Sequence, residues 1–297
     1  MKRPHKVMGA VTALAMMLAG CGSSDSSSQG ASFMETCKEM VTETAPNEVY
    51  VATSGVTYPK FEKKTYYSQT AERDTPVNVL LPDNYSPDKK YPVLYILHGY
   101  WDNEDWMTKP VVHVSSMLNN LIKLGEAKEM IVVCPYIYCS KTQEKCTAMD
   151  GPNTAAYDNF VNDLLTDLMP FIEKNYPVAT GRENTAITGF SMGGKEALQI
   201  GFEHPDLFGY IGGVCPAPGL NNSLFTGLNE KFGENKPRVI LMSASEADTV
   251  VGKVPFGYED QLNSNGIEHI FHKMTKAQHN QTSVIPHLYN FFRMLFK

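Results

Sequence analysis

The sequence predicts an α/β fold with a mostly parallel, twisted central sheet and helices on both faces. Three observations predict it. From about residue 91 onward, short apolar runs alternate with amphipathic stretches, the order of strands and crossover helices in a parallel sheet. Runs such as residues 91–99 and 130–135 are continuously apolar, as strands covered on both faces are. Finally, residues 184–198 pass from an apolar run through Gly189-Phe-Ser-Met-Gly193 into a helical pattern, giving strand, tight turn and helix with Ser191 at the apex.

The chain opens with a targeting segment. Residues 1–6 are basic and residues 7–18 form an apolar run too short to span a bilayer. Leu18-Ala-Gly-Cys21 resembles the lipobox of bacterial lipoproteins, which implies cleavage before Cys21 and lipid on its thiol. An ordinary secretory signal cut nearby is the other reading, and both imply export. Residues 22–31 are a polar, Ser-rich tether. The expected organisation is a signal peptide at 1–20, a lipidated cysteine and tether at 21–45, and one catalytic domain at 46–297. Residues 34–45 read equally as a short helix packed on the body or as linker.

Within the domain, residues 48–53, 64–69 and 75–82 read as strands, with β-branched and aromatic residues interleaved with polar ones. Residues 91–99 and 130–135 are central strands flanking a helix within 107–123, and a long loop follows at 136–155. Residues 157–175 carry Phe160, Val161, Leu164, Leu165, Leu168 and Ile172 on one helical stripe, with Pro170 predicting a kink or reset. After the Ser191 segment come strands at 210–215, 238–243 and 269–274, and helices at 256–265 and 284–296.

Composition narrows the partners. The 297 residues are 42% hydrophobic and 20% charged, with net charge −6 and no basic patch, so no nucleic-acid partner is expected. Five cysteines remain besides Cys21: Cys37, Cys134, Cys139, Cys146 and Cys215. Cys139 and Cys146 are either a small disulfide or two free thiols. Cys134 and Cys215 sit in apolar runs and are expected to be buried. No Cys-x-x-Cys or His-x-x-x-His spacing occurs, so neither a metal site nor a cofactor is expected.

The Ser191 pattern is a nucleophile elbow, in which glycines two residues before and after the serine let strand and helix cross closely. A serine needs a base, and the base an orienting acid, following in the order acid then histidine. Asp248, just beyond the strand at 238–243, is the preferred acid over Glu246 and Asp206. His279, between the last strand and last helix, is the base; His269, His272, His287, His204 and His113 fall inside elements or at helix ends. Met192 and Tyr100 are expected to offer the backbone N–H groups of an oxyanion hole, while His98 shapes the second of these loops. Trp101, Trp106 and Tyr136 are candidate substrate contacts at the rim, with Tyr138 beside them, or loop packing.

These blocks resemble the esterase branch of the α/β-hydrolases that includes feruloyl esterases, acetyl xylan esterases, S-formylglutathione hydrolases, enterochelin esterases and mycolyltransferases. Bacterial feruloyl esterase domains are the nearest match, through Leu97-His-Gly99 with Asp105-Trp106 downstream, and Gly189-Phe-Ser-Met-Gly-Gly194. The branch's usual Gly-His-Asp is here Gln278-His279-Asn280, which changes the neighbours of the base and leaves the base. The resemblance implies an exported serine ester hydrolase that works through an acyl-enzyme without a cofactor and acts on feruloyl or acetyl groups of plant polysaccharide or on a small ester. Acyl transfer to a sugar, siderophore ester hydrolysis and a non-catalytic, lipid-anchored binding protein are the competing expectations.

Overall fold

The structure, a computed structural model, describes residues 32–297. The expected signal peptide, Cys21 and residues 22–31 of the tether lie outside the described residues. Helices α1 (Phe33–Glu39) and α2 (Asn47–Tyr50) precede the hairpin β1 (Glu62–Ser68) and β2 (Arg73–Leu80). Then follow β3 (Val93–Leu97), α3 (Val114–Lys123), β4 (Ile131–Pro135), α4 (Gly151–Asp158), α5 (Phe160–Asp163) and α6 (Met169–Asn175). Next come β5 (Thr185–Gly189), α7 (Met192–Glu203), β6 (Tyr210–Val214), α8 (Asn222–Phe225) and α9 (Leu228–Phe232). The last elements are β7 (Val239–Ser245), α10 (Val254–Ser264), β8 (Ile270–Met274) and α11 (Gln281–Met294).

Among the described residues the strands form one eight-stranded sheet in the order β1-β2-β4-β3-β5-β6-β7-β8. β1–β2 and β2–β4 pair antiparallel; β4 through β8 are parallel. From β3 the chain moves to β4 on one side, and from β5, on the other side of β3, it moves on to β6 away from it, so loops leaving β3 and β5 diverge and open a crevice at their carboxyl ends. Alternate residues of each strand feed two cores. Val93, Tyr95 and Leu97 face one with Phe160, Leu164 and Phe202, while Leu94 and Ile96 face the other with Met117, Leu288 and Phe291.

Three elements differ from the sequence expectation. Residues 48–53 are not a strand. The carbonyls of Val49 and Tyr50 are taken by Asn120 and Ser116 of α3, at 2.8 and 2.7 Å, and Val49 is buried, which favours the short α2. The helix expected at 157–175 has the reset expected at Pro170, but the break begins earlier, in a π-helical turn at Leu164–Leu168 just before the proline. Proline has no N–H to return to the carbonyl four residues back, so the ladder widens ahead of it.

The compact body starts at Ser32, not at residue 46. Met34 and Cys37 of α1 are buried, worth roughly 1.5–3 kcal/mol for a methionine side chain. Asn290 of α11 pairs twice with the Thr42 backbone, at 3.0 and 2.8 Å, and Arg293 donates to Met40 O at 3.0 Å.

A buried polar chain ties this segment to the elbow strand. His272 Nε2 bonds Glu43 O at 3.3 Å, and a carbonyl only accepts, so Nε2 carries the proton. Ser243 Oγ, 3.1 Å from His272 Nδ1, therefore donates there and accepts from His287 Nδ1 at 2.7 Å. His287 Nε2 is left to accept from Thr188 Oγ1 at 2.8 Å. Every atom is satisfied with both imidazoles neutral. Burial pulls His272 down, and burial with the neighbouring His272 pulls His287 down to about 3.

Two outcomes are expected. A chain beginning at residue 46 melts several degrees below one beginning at residue 32, because a loss of 1 kcal/mol moves the midpoint by about 2–4 °C at this size; equal midpoints would refute the contribution of α1. Unfolded imidazoles take up protons near about 6.5, whereas folded His287 resists to about 3. Stability is therefore full above that range and falls as pH drops, by up to about 1.4 kcal/mol per pH unit for one such group. Urea unfolding at pH 7 and 5 measures it, with His287→Asn giving the shallower dependence; equal slopes would exclude the neutral chain.

Candidate active site

β5 delivers Ser191 to the crevice. Ser191 holds φ 56° and ψ −115°, a backbone conformation costly for an L-residue, between strand and α7. A Cβ on Gly193 would stand 2.4 Å from the carbonyl oxygens of Leu97 and His98, and one on Gly189 would stand 2.4 Å from Gly193. Both positions must be glycine for the elbow to cross β3. The turn is pinned by Ser191 N donating to Val214 O at 3.0 Å and Ala217 N donating to Ser191 O at 2.9 Å.

The residues singled out for chemistry converge from three loops. His279 Nε2 lies 2.9 Å from Ser191 Oγ, and His279 Nδ1 lies 2.6 Å from Asp248 Oδ2. Val250 and Val251 N–H groups donate to Asp248 Oδ1 at 2.8 and 3.2 Å. Burial pushes the Asp248 carboxyl up, but the hydrogen bond and charge of His279, with the two N–H groups, outweigh it and hold it below the usual range. The carboxylate fixes the proton on Nδ1, leaving Nε2 free to accept from the serine hydroxyl. The rivals stand elsewhere: Glu246 pairs with Lys273 at 2.8 Å on the surface, and Asp206 lies in the turn after α7.

The loop after β3 sits beside the elbow because Leu97 pairs with Gly189. His98 is fully enclosed, with Nδ1 2.8 Å from Gly99 O and Nε2 accepting from Ile137 N at 3.1 Å. Burial draws it down to about 4, so it is a neutral brace for this loop. Met192 N–H opens α7 ahead of the helical ladder. Among the described residues, the Tyr100 N–H donates to no backbone carbonyl, and its hydroxyl anchors the ring on Ala148 O at 3.0 Å.

The rim aromatics separate. Trp106, partly buried, is stacked on Phe190 at 5.1 Å and 8°, and Phe190 lies 4.5 Å from the His279 ring, so one face of Trp106 is taken up by packing beside the base. Its loop is clamped by Lys63 on Glu104 and Asp105, at 2.8 and 2.6 Å, and by Asn78 on Asp105 at 2.8 Å. Tyr136 lies over His98 at 5.6 Å, its hydroxyl held by Glu144 O at 2.8 Å. Tyr138 is buried against Tyr157. Trp101, 55% exposed with φ 70°, remains open to solvent.

Sequence reasoning passed over three features. Asp102, in the loop after β3, has its carboxyl pushed up to about 6 by burial, against the pull of Lys109 and His279. Lys195, only 2% exposed, pairs with Asp158 and, at 3.0 Å, with Glu196, itself raised to about 8 chiefly by burial. This cluster borders a polar cleft of about 390 Å³ that runs along α7 from Lys195 to Glu203. Cys215, at the carboxyl end of β6, stands beside Asp248 and His279. Position at the sheet's carboxyl edge was the available signal for Asp102 and Cys215. All five described cysteines are free thiols, including Cys139 and Cys146.

Comparison with known proteins places the chain. The family model described as "Putative esterase" matches residues 68–293. The chain is 31% identical over 172 residues to an endo-1,4-beta-xylanase/feruloyl esterase of Xylanibacter ruminicola, covering 56% of this chain and 23% of that protein. It is 30% identical over 142 residues to endo-1,4-beta-xylanase Y of Acetivibrio thermocellus, covering 44% of this chain and 12% of that protein. It thus spans about a quarter or less of the length of these curated relatives. The CE1 ferulic acid esterase of Anaeromyces mucronatus, solved with ferulic acid, superposes with TM-score 0.80 at 36% identity over 86% of this chain and 97% of that one. The chain belongs to this esterase family and has its α/β-hydrolase fold.

Above about pH 6 the Asp102 carboxyl, in the loop beside the elbow, is ionised. Asp102→Asn removes that ionisation, so the kcat/KM profile is expected to change near pH 6. Superimposable kcat/KM profiles between pH 5 and 8 would show that Asp102 does not act on the rate.

Proposed function

We propose that the protein is a serine carboxylic ester hydrolase that removes hydroxycinnamoyl groups of the feruloyl type, or acetyl groups, from plant cell-wall polysaccharide. The observation that carries this reading is the Ser191–His279–Asp248 chain, joined at 2.9 and 2.6 Å. The 36%-identical neighbour solved with ferulic acid supports the feruloyl alternative. The N-terminal basic-apolar-cysteine pattern supports an exported enzyme anchored to a bacterial membrane through lipid on Cys21.

Ser191 Oγ attacks the ester carbonyl while its proton passes to His279 Nε2. The developing oxyanion takes the N–H groups of Met192 and Tyr100, each such donor being worth about 10²–10³ in rate. His279 then gives the proton to the leaving alcohol, and the acyl group stays on Ser191. A water, deprotonated by the same nitrogen, releases the acid and restores the hydroxyl. Asp248 stays ionised throughout and stabilises the imidazolium.

The test compares methyl ferulate, a short acetyl ester and acetylated xylan, using chain lacking residues 1–21. Methyl ferulate is expected to win by about tenfold or more, about 1.4 kcal/mol of transition-state preference. An acetyl preference transfers the assignment to deacetylation. Ser191→Ala is expected to lose at least about 10³-fold on every substrate; a fully active variant would sink the mechanism.

A further inference from the structure

Tyr157 and Asp158, the last two residues of α4, are unused by that mechanism, yet they join the two segments that carry its oxyanion donors. Tyr157 is 1% exposed. Its hydroxyl accepts from the Trp101 N–H at 3.2 Å, and its ring packs on the Tyr100 ring at 4.7 Å. Tyr138 meets the same ring edge-on at 5.2 Å. The next residue faces the elbow helix: the Asp158 carboxylate pairs with the Lys195 ammonium in the first turn of α7. Lys195 stands there against two preferences. It is 2% exposed, and a cation at a helix N-terminus opposes the helix dipole. Glu196 and Asp158 outweigh burial and hold it as a cation, and the pairing with α4 accounts for a lysine in this place.

We infer that Tyr157 and Asp158 are positioning residues for ester hydrolysis, together forming a strut that sets the separation of the Tyr100 and Met192 N–H groups. The glycine contact of the elbow fixes the start of the loop after β3, at Leu97 and His98. Tyr100 lies beyond that contact, followed by Trp101 at φ 70°, a conformation that an L-residue adopts at a cost. The turn there closes through Asp102 N donating to Gly99 O at 3.3 Å, a long bond. The Tyr157 hydroxyl gives the Trp101 N–H a partner outside that turn, on an element that α7 also holds. On the other side, Lys195 N donates to Ser191 O at 2.9 Å, so the lysine that meets Asp158 belongs to the turn that starts at the elbow. An oxyanion donor acts at about 2.7–3.1 Å from the oxygen it must reach. Displacing either segment therefore costs the transition state more than the bound ester.

This inference rests on the serine-hydrolase reading, and the experiment separates the two. Tyr157→Phe keeps the ring and removes the acceptor. Asp158→Ala removes the partner of Lys195, and Asp158→Asn keeps a carbonyl oxygen for it. These three and the double variant Tyr157→Phe/Asp158→Ala are counted for active sites by complete labelling with a fluorophosphonate. Each is then assayed on 4-nitrophenyl acetate and for inhibition by a trifluoromethyl ketone, which adds to the serine as a tetrahedral oxyanion. Per labelled site, Tyr157→Phe and Asp158→Ala are each expected to lose about three- to tenfold in kcat, the scale of one lost hydrogen bond, with KM little changed. The ketone Ki rises by about the same factor, because the adduct and the transition state use the same N–H groups. Asp158→Asn returns to within about twofold of wild type. The double variant falls no more than about twofold below the lower single, since both changes cut one strut. Losses that multiply in the double variant overturn the inference. So does a lowered melting midpoint with kcat and ketone inhibition per labelled site unchanged, the mark of a merely structural role. If the double variant does not fold, the kcat and ketone Ki of the single variants decide. Failure of the underlying reading shows separately, as a wild-type protein that the probe leaves unlabelled at Ser191.

Discussion

The close approach of the elbow to β3 is the constraint on which the rest of the structure depends. The Gly193 Cα packs onto the Leu97 and His98 carbonyls so tightly that a single methyl group would stand 2.4 Å from each. That contact fixes the distance between two loops which must cooperate, one bearing Ser191 and the other the Tyr100 N–H. It also accounts for the strain at Ser191, because a strand this close to its neighbour can enter a helix only through a left-handed residue. The strain is held by backbone bonds from Val214 and Ala217, so the segment after β6 is as much part of the elbow as the glycines are.

Electrostatically the carboxyl edge of the sheet carries very little permanent charge close to the reacting atoms. His98, His272 and His287 are neutral braces, each lowered chiefly by burial and each with both ring nitrogens bonded. Asp248 is the buried anion, 4% exposed, and its charge is spread over donors from two loops. The buried Lys195 is paired with Asp158 and held by Glu196 at 3.0 Å. In the proposed mechanism a developing oxyanion would meet oriented N–H dipoles, which need not reorganise, and not a mobile counter-ion.

The sequence shows this design unevenly, for physical reasons. The parallel strands were legible because burial on both faces leaves a continuous apolar run, and the elbow because its glycines are sterically obligatory. Ser191, Asp248 and His279 could be chosen by chain order and strand ends alone. The segment at 32–50 was not legible: α1 and α2 are too short to show a helical period, and what holds them is contact with α11 and α3, remote in sequence. The same limit applies to Trp106. An aromatic residue in an active-site loop looks like a substrate contact until the third dimension shows Phe190 beneath it.

Reassigning Trp106 changes where specificity has to come from. The Trp106–Phe190–His279 stack is a continuous aromatic support, with ring separations of 5.1 and 4.5 Å, and it sets the tilt of the base. An aromatic acyl group cannot use a face already spent on that packing. Tyr136 is likewise committed, its ring to His98 and its hydroxyl to Glu144 O. Trp101 is the most open ring of this loop cluster, held out by a left-handed backbone against the edge of Tyr100, with the half-buried Asp102 next to it. Trp101 offers a face for stacking, and Asp102 a carboxyl able to accept from a hydroxyl. Trp101 and the Tyr100 N–H are adjacent in one short loop, so any movement of that loop shifts both together.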